Sequence, residues 1–286
     1  MEDEMLACEF RTKDGRHHIE MYAVWDGHGG RGASEFVKQH MPKLVAKYMR
    51  PLTRFSRPLV TEALKLSHSE LVSLMRATKE RYDEFWDVGT TSCIVLYITT
   101  ANLLVCANVG DSRSVAYLTT AATGFVEIMP LSVDHKPEDA RERSRLESVG
   151  AVVERENADS SDGPLRVWGE NGTGLSMSRA LGDHGGEPGI SHMPDVTTVR
   201  LRPQQRNIGF VVIGCDGLWD VITPREVLDY LQKRQPPTPK RAAKALVRRA
   251  FAKYSNDNIS VLVFPVCHER PAPKRRPNEN VVEISN

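Results

Sequence analysis

Apolar positions along this chain switch between two periods, and the switches mark out its elements. Residues 21–25 are a continuous apolar run, read as a strand, that stops on Asp26 and a Gly-rich turn, Gly27-His28-Gly29-Gly30. Ala33, Phe36, Val37, Met41, Leu44, Val45 and Tyr48 then recur at helical spacing, with Pro42 expected to kink or split the helix. A second helical pattern runs from Thr61 to near Trp86, with Leu64, Leu71, Leu74 and Met75 on one side. Residues 93–98 and 103–109 read as a hairpin through Thr100-Ala101-Asn102, and their unbroken apolarity predicts strands buried on both faces. Strands over 114–118 and 127–133 precede a charged helix over 139–149 that Gly150 stops. Residues 157–194 are rich in Gly, Ser, Asp and Asn, a mobile excursion interrupted by the ordered-looking stretch 175–183. A strand over 210–215 ends on Asp216-Gly217. Thr223-Pro224-Arg225-Glu226 forms a capping box for a helix to about Lys233, and a further helix over 240–254 leads to a strand over 259–264.

With 286 residues and 40% hydrophobic content, the chain can bury one large core. The predicted organisation is a single domain over residues 1–265 and a charged, Pro-rich disordered tail over 266–286. The 38 basic and 37 acidic residues give a formal net charge of +1, so no overall field recruits nucleic acid or an anionic membrane. Function must then lie in a local site. Cys8, Cys93, Cys106, Cys215 and Cys267 are widely spaced without a C-x-x-C pair, which excludes a zinc or disulfide framework and leaves reduced thiols. The opening Met1-Glu2-Asp3-Glu4 lacks the basic and apolar regions of a signal peptide, and no apolar run approaches the roughly 18 residues that span a bilayer. The expectation is a cytoplasmic or nuclear protein, with Lys274-Arg275-Arg276 read as a solvated run.

The candidate chemistry is acidic. Asp26, Asp111 and Asp216 lie at strand ends, Asp257 precedes a strand, and Glu2-Asp3 opens the chain. Any one of them reads equally as a turn former or helix cap. Brought together, they would repel one another unless divalent metal or strongly raised pKa values relieved them. Glycine beside Asp26 lets the Gly27 carbonyl approach a hard cation, and His28 lies within reach of whatever that cation binds. Two oxygen-ligated ions about 4 Å apart are the usual device for in-line attack on phosphorus, so the set points to phosphoester hydrolysis.

Eight stretches in order resemble the motifs of the PP2C (PPM) family of metal-dependent protein serine/threonine phosphatases. They are Met1-Glu2-Asp3, Asp26-Gly27-His28-Gly29-Gly30, Gly89-Thr90-Thr91, Asn108-Val109-Gly110-Asp111-Ser112-Arg113, Asp134-His135-Lys136-Pro137, Ser178-Arg179-Ala180-Leu181-Gly182-Asp183, Cys215-Asp216-Gly217-Leu218-Trp219-Asp220 and Asn256-Asp257-Asn258-Ile259-Ser260. The resemblance implies an α+β fold, a four-layer αββα sandwich of two mostly antiparallel sheets flanked by helices, with a metal cleft at one end. It implies that Asp26 bridges two Mn²⁺ or Mg²⁺ ions, that the Gly27 carbonyl and Glu2 serve one ion, and that Asp216 and Asp257 serve the other. Asp3 would act through water, and Asp111 would help to hold a weaker third ion. A bridging hydroxide would attack phosphoserine or phosphothreonine, with His28 as general acid and no phosphoenzyme. The implied partners are phosphorylated proteins, and the implied state is a monomer. Arg113 and Arg179 read as loop braces, and the excursion over 157–194 corresponds to the family's flap.

Members of the family usually carry a further strand before the Met-Glu-Asp motif, with a phosphate-binding Arg, and this sequence starts at Met1 with neither. That departure predicts an open sheet edge and one lost phosphate anchor. It keeps a second reading open, a catalytically impaired phosphatase-fold binding protein. A third is hydrolysis of a small phosphoester by the same centre.

Overall fold

The continuous apolar runs form strands because β-branched and aromatic side chains fit a pleated surface that is covered on both sides. A computed structural model describes residues 1–78, 88–120, 123–156, 163–169, 172–183, 189–201, 208–266 and 281–282. In chain order, β1 (Glu4–Arg11), β2 (His18–Trp25) and β3 (Gly27–His28) lead into α1 (Gly32–Met49) and α2 (Arg57–Ala77). Then come β4 (Gly89–Thr90), β5 (Ser92–Ile98), β6 (Leu103–Val109), β7 (Arg113–Thr119), β8 (Val126–Pro130) and α3 (Ala140–Ser148). The next strands are short: β9 (Val152–Arg155), β10 (Leu165–Trp168), β11 (Gly174–Leu175), β12 (Leu181–Gly182) and β13 (Asp195–Arg200). The chain closes with β14 (Ile208–Gly214), α4 (Asp216–Trp219), α5 (Pro224–Arg234), α6 (Pro239–Ala252), β15 (Val261–Val266) and β16 (Val281–Val282).

Two five-stranded antiparallel sheets carry the fold, one ordered β1-β2-β5-β6-β13 and the other β16-β15-β14-β7-β8. Three apolar layers hold four layers of structure together. Met21, Ala23 and Trp25 of β2 face Val37, Met41 and Val45 of α1 and Leu64 and Leu71 of α2. The alternate β2 residues, Tyr22 and Val24, face Val211, Leu262 and Phe264 of the other sheet, and Tyr22 stacks on Phe264 with ring centroids 3.8 Å apart. Val212 and Val263 point the other way, onto Leu228 and Leu231 of α5 and Leu246 and Val247 of α6. This is the α+β sandwich of two sheets between helix pairs that the motifs imply. Among the described residues, no helix is long and apolar enough to cross a membrane.

Local expectations are met in places and corrected in others. The hairpin turns through a 3₁₀ segment at Thr99–Ala101, with Asn102 left-handed at φ 47°, and the Thr223–Glu226 capping box is present. Pro42 neither splits nor ends α1, whose buried residues on both sides of it hold one continuous helix on the sheet. The second helix starts earlier than Thr61, at Arg57, because Ser56 is extended and Pro58 suits the first turn. Leu74 is exposed, since the buried stripe runs through Val60, Leu64, Leu71 and Met75, and the expected end near Trp86 lies outside the described residues. Strand β1 was not legible, its apolar alternation being broken by Glu9 and Arg11. Part of the expected excursion is ordered as the small sheet β11-β10-β9. The tail boundary also moves. Val266 is buried in β15, and Val281–Val282 pair with Leu262 and Val261, because a sheet edge offers unpaired N–H and C=O groups that a short β-branched segment can fill. The other tail residues lie outside the described ones.

Phe264 reaches across the inter-sheet layer and is fully buried. Phe264→Ala is expected to cost about 3–5 kcal/mol of stability, read as a lower denaturation midpoint, with Phe264→Leu costing clearly less. Equal midpoints for both variants and the parent would show that the inter-sheet layer is not where the fold's stability resides.

Candidate metal centre

The site is assembled where β2 runs out. A small sheet ordered β12-β4-β3 pairs Gly27 with Thr90 and His28 with Gly89, then Thr90 with Leu181 and Gly89 with Gly182. Three of the sequence motifs therefore meet as backbone. Asp26 is clamped from both sides: its N–H donates to Thr91 Oγ1 at 3.0 Å, and its carbonyl accepts from Thr91 N at 2.9 Å and Thr90 Oγ1 at 2.9 Å. Gly27 is obligatory here, since a Cβ would stand 2.5 Å from the Glu2 carbonyl oxygen. That close approach is how the opening residues reach the centre. The Glu2 carbonyl accepts from Ser34 Oγ, and the Glu2 N–H donates to Asn258 Oδ1 at 3.3 Å.

His28 is held by a carboxylate. Its Nε2 lies 2.8 Å from Asp183 Oδ1 and 3.0 Å from Oδ2, and the Asp183 side chain is 2% exposed. A Cβ on Gly89 would lie 2.5 Å from His28 Nε2 and closer still to the Asp183 carboxylate, so only glycine leaves room for the pair. The sequence reading gave Asp183 no role. Its one signal was its position, a carboxylate closing an ordered stretch inside a polar loop.

The acids converge from both sheets. Ligand atoms of Asp26, Cys215 and Asp216 all lie within 4.8 Å of one another. Asp3 is 2% and Asp111 1% exposed. Burial pushes the Asp26 carboxyl well above its usual range, and the nearby charges of Asp3, Asp216 and Asp111 push it further. Burial, with Asp111, Asp257 and Asp220 beside it, lifts Asp216 to about 7. Burial also raises Asp3. Asp257 contributes its charge to Asp3 and Asp216 from an exposed position, where its Oδ1 accepts from Asn258 N at 2.6 Å. Cys215 is fully buried, its thiol is pushed well above the usual range by that burial and by Asp26 and Asp3, and its Sγ donates to the Asn258 carbonyl at 3.1 Å. It is a neutral wall rather than a ligand for a hard cation.

The structure thus brings Asp3, Asp26, Asp111, Asp216 and Asp257 to one place, with Gly27 and the Glu2 backbone beside Asp26. Asp111 is also met by an ammonium: Lys136 Nζ lies 2.9 Å from its Oδ2. Burial alone would lower that lysine, but Asp111, Asp220 and Asp216 outweigh it and keep it charged. Lys136 was a second residue without an assigned role. Arg113 forms a bidentate pair with Asp134, at 2.9 and 2.6 Å, and Arg179 binds Glu142 and Asp195, so both brace loops as expected. The donor set fits divalent cations. Among the described residues, no donor lies in hydrogen-bonding geometry to either Asp3 oxygen or to Asp216 Oδ1, all three buried, an arrangement that a hard cation satisfies and that leaves a metal-free chain strained by its own charge.

Comparison with known proteins gives the family and the fold. The family model described as "Protein phosphatase 2C" matches residues 1–259. The chain is 29% identical over 246 residues to protein phosphatase 1L of Bos taurus, which covers 86% of this chain and 64% of that protein. It is 31% identical over 286 residues to probable protein phosphatase 2C 52 of Oryza sativa subsp. japonica, covering 94% of this chain and 52% of that protein. The chain therefore spans about half to two thirds of the length of these curated relatives. Among solved structures, a C. elegans sex determining protein is similar with TM-score 0.74 and 26% identity, over 97% of this chain and 62% of that one. The serine-threonine phosphatase 2C from Toxoplasma gondii shares the fold, with TM-score 0.71 and 22% identity over 93% of this chain and 94% of that one.

The raised carboxyls make the stability of the metal-free chain depend on pH. A carboxyl with its folded pKa above the unfolded value holds its proton more tightly when folded, so its stabilisation is present at low pH and is lost as pH rises through the folded value, about 7 for Asp216. In EDTA, the melting temperature is expected to fall by roughly 5 °C between pH 5.5 and 8, and Mn²⁺ at pH 8 is expected to restore it. A melting temperature that rises over that range and ignores Mn²⁺ would refute the metal assignment.

Proposed function

Because this chain belongs to the protein phosphatase 2C family, we propose that it hydrolyses phosphoserine and phosphothreonine in proteins, using Mn²⁺ or Mg²⁺ held by Asp26 and Asp216. The observation that carries this reading is the convergence of buried, donorless carboxylate oxygens beside a carboxylate-bound histidine. Asp26 would serve two ions, with the Gly27 carbonyl and Glu2 also serving one of them and Asp216 and Asp257 the other. Asp3 would act through water, and Asp111, already met by Lys136, would contribute to a weaker third position. Bound there, the ions would neutralise the carboxylates and the phosphate and supply a water acidic enough to ionise at neutral pH.

The chain's own residues supply the rest. Attack by water, which releases a proton to solvent, forms a new phosphorus–oxygen bond as the bond between phosphorus and the seryl or threonyl oxygen breaks, and the departing alkoxide needs a proton. His28 would give it, its ring held in orientation by the contact of Nε2 with the Asp183 carboxylate. No covalent intermediate is required. Cys215, the cysteine at the site, is buried and held as the thiol. Phosphorylated proteins are the partners this chemistry serves, and the reading includes a monomer in the cytoplasm or nucleus.

Phosphate release from a phosphothreonine peptide is expected with Mn²⁺ and not with EDTA, and Asp216→Asn is expected to abolish it while leaving the fold intact. A folded, metal-binding chain that releases nothing would overturn the proposal in favour of a binding role, and faster release from free phosphometabolites would move it to small phosphoesters. His28→Gln is expected to lower kcat by about 100-fold or more. Asp183→Asn is expected to lower kcat with little change in KM, since the ring loses the carboxylate that fixes its orientation. An unchanged kcat in a folded variant would remove Asp183 from any positioning role.

A further inference from the structure

The helix pair on the outer face of the second sheet carries a basic concavity that shares no residue with the acidic centre. Helices α5 and α6 bury Leu228, Leu231, Leu246 and Val247 against the sheet, and their other faces bound a concave pocket of about 510 Å³. Tyr230, Arg234, Arg241, Lys244, Arg248 and Arg249 line it. Its chemistry is one-sided. Helix α6, from Pro239 to Ala252, contains no acid. The two acids of α5 are taken elsewhere, Glu226 by Lys253 and Asp229 by Arg225. Among the described residues, none of the five cations in the pocket stands in an ion pair. Two of the guanidinium groups are positioned by the same ring: Arg234 lies 5.0 Å and Arg249 5.7 Å from the centre of Tyr230.

We propose that this pocket binds a compact ligand bearing two or more phosphate groups. Five cations around one concavity repel one another and raise the local potential well above that of a chain whose net charge is +1, so the ligand must be a concentrated anion. Guanidinium forks match phosphate oxygens two at a time, and stacking on Tyr230 lowers the entropy cost of presenting them. The pocket volume falls in the range of small-molecule sites rather than that of an extended peptide groove. The proposal does not rest on the phosphatase reading, because no pocket residue belongs to the metal centre.

Calorimetric titration of the full chain in EDTA, at about 0.1 M salt, tests the proposal with inorganic tripolyphosphate as the probe and orthophosphate as the control. The variants are the charge-reversed Lys244→Glu/Arg248→Glu and the conservative Arg248→Lys. The parent chain is expected to bind tripolyphosphate and to prefer it over orthophosphate. Charge reversal should weaken binding by about tenfold or more, Arg248→Lys should weaken it less, and metal-dependent turnover should be unchanged. A second arm replaces the probe with phosphatidylcholine vesicles with and without a phosphoinositide. Pocket-dependent binding to tripolyphosphate alone identifies a soluble ligand, and pocket-dependent binding to phosphoinositide vesicles identifies a lipid headgroup. Either supports the site. Absence of binding in both arms, or binding that the folded charge-reversed variant retains in full, overturns it.

Discussion

Carboxylates crowded into one buried place are the constraint on which the rest of this structure turns. Asp3 and Asp111 are buried and Asp26 and Asp216 half-buried, and desolvation with the charges of their neighbours raises the cost of ionising Asp26 and Asp216. A flexible chain would relieve that cost by moving apart. Here the acids cannot separate, because each sits at the end of, or just beyond, a strand locked into a ladder. Asp26 ends β2, whose neighbours are β1 and β5, and Asp216 follows β14, between β7 and β15. The inter-sheet layer around Tyr22, Val24, Val211, Leu262 and Phe264 fixes the two ladders against each other. Apolar burial far from the site thus holds charge together within it, and a cation then becomes the cheapest route to neutrality.

The backbone around the centre is arranged for close approach. Gly27 admits the Glu2 carbonyl and Gly89 admits the His28–Asp183 pair, so two glycines decide which side chains reach the site. Thr90 and Thr91 then spend their hydrogen bonds on the backbone of Asp26, leaving its carboxylate for other work, and Thr91 Oγ1 continues to Ser112 Oγ at 2.7 Å, next to Asp111. The polar residues between the acids therefore act as spacers that hold the carboxylates in register without neutralising them.

The long elements were legible because their signals are local and repeated. The helical spacing from Ala33 to Tyr48, the double apolar runs of the hairpin and the Thr223–Glu226 box each state their own outcome. The strand-end carboxylates were legible as a set, since one acid after an apolar run is an ordinary turn former but several, flanked by glycine, are harder to dismiss. Strand β1 was not, because Glu9 and Arg11 break its alternation, and only pairing with β2 over eight residues makes it a strand. Asp183 and Lys136 could not be read for a related reason. Their roles are contacts across 155 residues to His28, in the one case, and to Asp111 in the other, and nothing in the neighbouring sequence encodes such a partner. Cys215 is the converse. It stands in a conspicuous motif, yet complete burial makes it inert.

A net charge of +1 conceals two opposite fields. The acids collect at the strand ends, and the cations of α5 and α6 collect on the outside of the helix layer, with the sheet of β7, β14 and β15 packed beneath it. Because charge sums ignore position, the composition excluded an overall attraction to polyanions without excluding a local one. The layered fold keeps the two fields apart: side chains anchored on rigid helices and strands cannot collapse onto one another, so neither cluster neutralises the other. One cluster is suited to gathering cations and the other to gathering phosphate. A near-neutral chain can therefore be strongly selective for charge at two separate places, provided that its core is rigid enough to keep like charges together and unlike charges apart.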